Sequence, residues 1–260
     1  MLYGAIIGDI AGSLYEFNNC TEILKGKLLP AQAFFTDDTV MTIATADAIL
    51  KNEDSPNFAK AYRKWGLKYP NRGYGARFLK WLHTPDMGPY NSYGNGSAMR
   101  ISPCAYLSNQ IRHDVVVKSA EATHNHPDGI FGAIATTSAI YMAHRGDSKD
   151  SIRRVLEPDF EIPTCDEIRP AEFDETCMGT IPLALAAFFE GNNFDECIRL
   201  AISLGGDSDT IAAITGSIAE AYFGIPEYLI QEARAYLTPE MLKIIDKFNR
   251  RYGNGRREKF

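Results

Sequence analysis

No C-x-x-C pair occurs in this chain. Its five cysteines, Cys20, Cys104, Cys165, Cys177 and Cys197, are odd in number and widely spaced. That removes the usual frameworks for zinc, redox exchange or a disulfide scaffold, and predicts reduced thiols. Positive charge is also short: 27 Lys and Arg face 33 Asp and Glu, giving a net charge of −6 and a pI near 5.4. Phosphate-dominated binding needs a basic face, so duplex nucleic acid and anionic membrane are excluded as main partners. Long hydrophobic runs are missing as well. The start, MLYGAIIGDIAGSLYEF, lacks a basic lead-in and is interrupted by Asp9 and Glu16, so it reads neither as a signal peptide nor as a membrane span. These absences together predict a cytoplasmic protein.

Alternating Val/Ile/Thr runs that could build a sheet are absent too, while helical periodicity is nearly continuous, so the fold is predicted to be all-α. The apolar spacing predicts helices over 2–14, 38–52, 56–68, 75–83, 97–107, 113–123, 128–145, 173–190, 194–204, 209–223, 227–236 and 238–251. At 260 residues and 45% hydrophobic composition, one large core and a single domain over 1–260 are expected. The Pro/Asp/Glu-rich stretch 157–172 reads as a loop between helix groups. The basic, glycine-broken NRRYGNGRREKF reads as a solvated end with a frayed tail over 252–260.

Two acidic turns carry the chemistry. In FFTDDTVMTIATADAIL, Thr36, Asp37 and Asp38 stand directly before a helix. In SLGGDSDTIAAITGSIAEAYFG, Gly205 and Gly206 turn the chain, and Asp207, Asp209 and Thr210 open another. Helix capping accounts for either run alone, because Asp and Thr are favoured N-caps and acids are stabilised at a helix start. Two carboxylates within four residues, in both places, exceed what a cap requires, and like charges this close repel unless a cation lies between them. Carboxylate and hydroxyl oxygens suit Mg²⁺, Mn²⁺ or Ca²⁺. Small residues at Ala44, Ala48, Ala212, Ala213 and Gly216 would let the two helices pack closely, gathering four carboxylates and two hydroxyls around two ions.

TDDT before a helix, together with SLGGDSDTIAA, resembles the ADP-ribosylglycohydrolase family from about Gly4 to Gly224. That family includes the hydrolase that reactivates dinitrogen reductase and the animal ADP-ribosylhydrolases. The resemblance implies an all-α, compact orthogonal helical bundle with two Mg²⁺ or Mn²⁺ ions ligated by Thr36, Asp37, Asp38, Asp207, Asp209 and Thr210. It also implies cleavage of the bond between ADP-ribose and a modified substrate. The family places a glutamate after its first helix, which makes Glu16 the candidate general base, with Asp209 as a second catalytic group and Asp9 in support. The glycines of NRGYGARFLKWL and NSYGNGSAMRISP, Gly73, Gly75, Gly94 and Gly96, can bring backbone N–H groups close to phosphate or ribose. Both runs resemble ADP-ribose-contacting loops, with Tyr93, Gly94 and Asn95 in matching places, and His124 matches a ligand-contacting histidine. His126 reads as a cap or surface residue, and Arg100 as an internal ion-pair partner.

Two departures bear on substrate preference. Met87 falls where the family has an adenine-stacking aromatic, leaving Tyr90 and Tyr93 as stacking surfaces, and Glu220 replaces a small residue. The motifs are closest to serine- and O-acetyl-directed members, implying an ADP-ribosylated protein, O-linked as through serine, or a small ADP-ribosyl ester as substrate, and a monomer. The rival readings are an arginine-directed hydrolase, a crystallin-like or ADP-ribose-binding relative without activity, and a metal-dependent phosphohydrolase.

Overall fold

The structure is a computed structural model and describes residues 1–253. Its α-helices are α1 (Tyr3–Gly12), α2 (Asp37–Lys51), α3 (Phe58–Lys68), α4 (Ala76–Leu82), α5 (Gly96–Met99), α6 (Asn109–Glu121), α7 (Pro127–Arg145), α8 (Lys149–Leu156), α9 (Cys165–Ile168), α10 (Cys177–Glu190), α11 (Phe194–Ser203), α12 (Ser208–Phe223), α13 (Glu227–Arg234) and α14 (Pro239–Tyr252). A 3-10 helix, Ser102–Tyr106, lies between α5 and α6. The described residues contain no strand, only isolated bridges at Gly94–Thr176 and Ala171–Gly205, in keeping with the all-α expectation. Many of the helices start where a side-chain oxygen accepts from a free N–H of the first turn: Thr36, Asn57, Thr164, Thr176, Asn193 and Thr238 all do so.

The centre is the antiparallel pair α1 and α12. Every residue of α1 is buried, and its glycines lie directly on the backbone of α12. A Cβ built on Gly4 would stand 2.1 Å from the Gly216 carbonyl oxygen, on Gly8 2.0 Å from that of Ala212, and on Gly12 2.4 Å from Asp209 Cα. Only glycine fits at such approaches. Around this pair the buried residues form a hydrophobic cluster reaching from Leu2 to Phe248. Leu2 offers no side-chain cap to α1. Glu220 replaces it: one oxygen accepts from the Gly4 N–H at 2.8 Å, and the other meets the Met1 ammonium at 3.0 Å. The acidic departure in the sequence is therefore a cap supplied from the partner helix.

Three expectations are corrected. The helix expected over 97–107 is split, because Pro103 lacks the N–H that an α-helix would need there, and the chain tightens into the 3-10 turn. Helix α8 was not anticipated: its charge-rich KDSIRRVL hides an apolar face of only Ile152 and Leu156. The stretch 157–172 is not wholly loop, since a capping box between Thr164 and Glu167 starts α9. At the other end α14 runs through Tyr252, and the rest of the expected tail, 254–260, lies outside the described residues.

Candidate active site

The C-terminal end of α1 meets the N-terminal ends of α2 and α12, and each contributes carboxylates. Asp9, fully buried in α1, binds the start of α2: it accepts from the Thr36 N–H at 3.0 Å, the Thr36 hydroxyl at 2.6 Å and the Thr39 N–H at 3.0 Å. Thr210 of α12 donates its hydroxyl to Asp38 Oδ2 at 3.2 Å, tying the two helix starts together. The turn into α12 needs positive φ at Gly205 and Gly206, 81° and 68°, and the Asn19 side chain clamps it through the Gly206 N–H and carbonyl. Asn95 donates to Asp207 Oδ2 at 2.6 Å and to Thr180 Oγ1 at 2.9 Å.

The result is two overlapping carboxylate groups, Asp9–Asp38–Asp209 and Glu16–Asp207–Asp209, each offering oxygens within 4.8 Å of one another. Among the described residues, buried Asp38 Oδ1 has no hydrogen-bond partner. An unpaired buried carboxylate oxygen among further carboxylates is what a cation would satisfy, and the all-oxygen donor set fits a hard divalent ion. These residues can hold metal.

Electrostatics of the bare cluster agree. Burial, then the charge of Asp209 and Asp9, raises Asp37 and Asp38 well above the carboxylate range. Burial and then Asp207 raise Asp209. Asp9 is pushed up to about 6 by burial, held there against the hydrogen bonds from Thr36 and Thr39, and Asp207 likewise to about 6 by burial. Glu16 is pushed up to about 8 by burial and by Asp209, Asp9 and Glu175.

The cluster forms one wall of a cavity of about 290 Å³. Of the residues expected from sequence, Glu16, Asp37, Asp38, Asp207, Asp209, Thr210, Gly73, Gly75, Gly94, Asn95, Gly96 and His124 line it. Thr36 is buried behind the wall, its hydroxyl engaged by Asp9. Tyr93 points away, exposed at 48% and edge-on to His126. Met87 does not line the cavity; Tyr90 does. His126 accepts from the Asp128 N–H as the N-cap of α7. Arg100 is corrected: among the described residues it forms no ion pair, but donates to the Ser119 carbonyl and the Thr123 hydroxyl and lies over the Tyr62 ring.

A family model described as ADP-ribosylglycohydrolase matches residues 1–257. The chain belongs to the ADP-ribosylglycohydrolase family. It is 26% identical to human ADP-ribosylhydrolase ARH3, covering 93% of this chain and 90% of that protein. It is also 26% identical to the ADP-ribosylarginine hydrolase Tri1 of Pseudomonas putida, covering 86% of this chain and 70% of Tri1. A solved ADP-ribosylglycohydrolase-related protein complex superposes with a TM-score of 0.73 at 26% identity, over 96% of this chain and 95% of that one. The chain is thus a glycosidase by family. Its cavity also contains Arg77, Ser92 and Glu175, which sequence reasoning did not single out. Arg77 follows the Gly73–Gly75 loop and reads as an ordinary exposed helix charge, yet it lies 5.1 Å from the Tyr90 ring centre. Glu175 sits in an acidic loop with no local signal, and its carbonyl accepts from the Asn95 N–H at 2.7 Å.

Proposed function

We propose that the chain hydrolyses the glycosidic bond between ADP-ribose and a modified substrate. Two Mg²⁺ or Mn²⁺ ions would be held by Thr36, Asp37, Asp38, Asp207, Asp209 and Thr210, with Glu16 and Asp209 as the catalytic groups. One observation carries this reading: two carboxylate groups share Asp209, one of them includes Glu16, and their cavity is also lined by the glycines of two loops. Bound cations would orient the ribose hydroxyls and polarise the attacking water.

The protein's own residues supply the rest. Asp9 and Asn95 fix the carboxylates through the hydrogen bonds described above. Gly94 and Gly96 leave backbone room for phosphate or ribose. Glu16, within 4.8 Å of Asp207 and Asp209 and lining the cavity, is placed to pass a proton to the leaving group and, once ionised, to accept one from water.

The motifs around Gly94 favour an oxygen-linked ADP-ribose, on serine or as a small ester. An arginine linkage is the second reading, favoured by the similarity to Tri1. Residues 1–260 act on this reading as one domain and a monomer, and the free state of all five cysteines fits a reducing, cytoplasmic setting. Among the described residues no helix is long and apolar enough to cross a membrane.

The test is product analysis on serine-, arginine- and O-acetyl-linked ADP-ribose with Mg²⁺ or Mn²⁺ present. Free ADP-ribose from one or more supports the proposal. AMP would replace it with a phosphohydrolase, and no product from any substrate would replace it with a binding protein.

A further inference from the structure

Behind the glycine loop, two buried side chains converge on one hydroxyl. Thr123 Oγ1 lies 2.8 Å from Arg100 Nη2 and 2.7 Å from His124 Nδ1. Thr123, His124 and Arg100 are all buried. A threonine hydroxyl has one proton to give and two lone pairs to fill. Arg100 can only donate, so it fills one lone pair. The remaining choice is whether Thr123 donates to Nδ1 or accepts from it.

Two features decide it. The guanidinium stands just beyond Thr123, and an imidazole edge facing a cation is favoured with its lone pair, not its N–H, towards that charge. The 2.7 Å separation from Nδ1 is at the short limit for an N–H donor but ordinary for a hydroxyl donor. Thr123 therefore donates to Nδ1. The proton of the neutral ring must then sit on Nε2. That nitrogen lies against the glycines that line the cavity with His124: a Cβ on Gly96 would stand 3.0 Å from it and one on Gly94 3.7 Å.

We propose that Arg100 and Thr123 are positioning residues that lock His124 in the Nε2–H tautomer, making it a fixed hydrogen-bond donor for an acceptor oxygen of the ligand held beside Gly94 and Gly96. Burial, with Arg100 and Arg77 adding to it, holds the His124 ring neutral, so the relay sets which way a neutral ring points its one proton. Neither positioning residue need touch the ligand. The identity of the oxygen as phosphate or ribose of ADP-ribose rests on the function proposed above; the tautomer does not.

The experiment is nitrogen-15 NMR of the full chain at pH 7, with the His124 signal assigned by its loss in His124→Gln, alongside ADP-ribose titration. The expected wild-type pattern is a protonated Nε2 and a bare Nδ1. Thr123→Val, equal in shape but without the hydroxyl, should lose the single tautomer and weaken ADP-ribose binding about tenfold, the scale of one hydrogen bond. Thr123→Ser should restore both, which a purely structural role for the hydroxyl would not require. A protonated Nδ1 in the wild-type chain would overturn the proposal without reference to any variant, and so would an unchanged tautomer in a folded Thr123→Val. An Nε2–H tautomer in a wild-type chain that fails to bind ADP-ribose would support the relay and count against the proposed substrate.

Discussion

The Asn95 side-chain nitrogen lies 2.6 Å from Asp207 Oδ2, so the glycine loop directly orients a carboxylate of the acidic cluster. Its second proton goes to Thr180 Oγ1, which uses up the donors of the amide and fixes its orientation. Groups that orient metal ligands typically account for about 10–100-fold in metal affinity. Asn95→Ala is expected to weaken Mn²⁺ binding by about that factor in a calorimetric titration, with little change in the circular dichroism spectrum. Unchanged affinity would mean that Asp207 needs no outside support.

Glu16 is the acid in this cluster whose expected role is proton transfer. Glu16→Gln keeps its shape and removes the titrating proton, so turnover on ADP-ribosylated substrate should fall by about 10²–10⁴. ADP-ribose should still bind within a few-fold of the wild-type affinity. Loss of binding in proportion to turnover would make Glu16 a ligand-holding group instead.

Cation removal should be visible in stability. Burial raises the folded-state pKa of Asp9 and Asp207 to about 6 and of Glu16 to about 8. The folded state then holds protons that the unfolded chain releases above its ordinary carboxylate value near ~4. Stability falls wherever the folded state binds more protons. The chelator-treated protein should accordingly melt at lower temperature as pH rises from 5 towards 8. Mg²⁺ or Mn²⁺ at a fixed concentration about 100 times its dissociation constant at pH 8 should add roughly 2.7 kcal/mol there, and less at pH 5, where protons compete for the same oxygens. A melting temperature indifferent to chelator at pH 8 would argue against a cation in the cluster.

Asp47, buried in α2 away from the cavity, tests the opposite sign. Burial pushes its carboxyl up, but the Lys51 ammonium at 2.8 Å and the Trp65 indole N–H at 2.8 Å outweigh it, and its pKa is lowered overall. A lowered folded value contributes stability that is present above the ordinary Asp pKa of ~3.9 and is lost as pH falls through the folded one. Asp47→Asn should cost about 1.5–3 kcal/mol at pH 7 in urea unfolding, and the difference from wild type should shrink only below pH ~3.9. A difference independent of pH would assign the effect to packing.

Much of the site was legible because its residues are grouped in the chain. TDDT and GGDSDT each place their acids at a helix start, where the run itself exposes the excess of negative charge. The contribution of Asp9 was harder to see. It lies in the middle of the apolar GAIIGDIAG, and nothing local says that its carboxylate joins Asp38 and Asp209 within 4.8 Å. Asn95 was legible as a cavity residue but not as the support of Asp207, 112 positions away. The partners of Arg100 were misjudged for a similar reason: a buried arginine argues for a carboxylate, whereas a carbonyl, a hydroxyl and the Tyr62 ring take its place. For the fold, periodicity located the long helices. It failed at α8, an eight-residue helix whose apolar face is only Ile152 and Leu156, and at 97–107, where Pro103 breaks a run that is otherwise apolar enough to be helical.

The glycine contacts of α1 make a sharp prediction about packing. Gly8→Ala would drive a methyl to 2.0 Å from the Ala212 carbonyl oxygen, and overpacking of a tight core costs about 1–3 kcal/mol, occasionally more. Gly88→Ala, at an exposed glycine with nothing within 4 Å, is the control and should be neutral. The Gly8 variant should lose both melting temperature and Mn²⁺ affinity, and retention of full cation affinity in a destabilised variant would separate the packing from the site.

That coupling follows from where the glycines sit. Asp9 lies one residue from Gly8, and Asp209 lies against Gly12, so the gap between the two carboxylates is gauged by bare backbone pressed on bare backbone, with no side chain between to flex or be exchanged. Such a gauge has no adjustable part. A lineage carrying this pair can retune what enters the cavity from the loops, but the distance between its charges is inherited as a fixed dimension of the core.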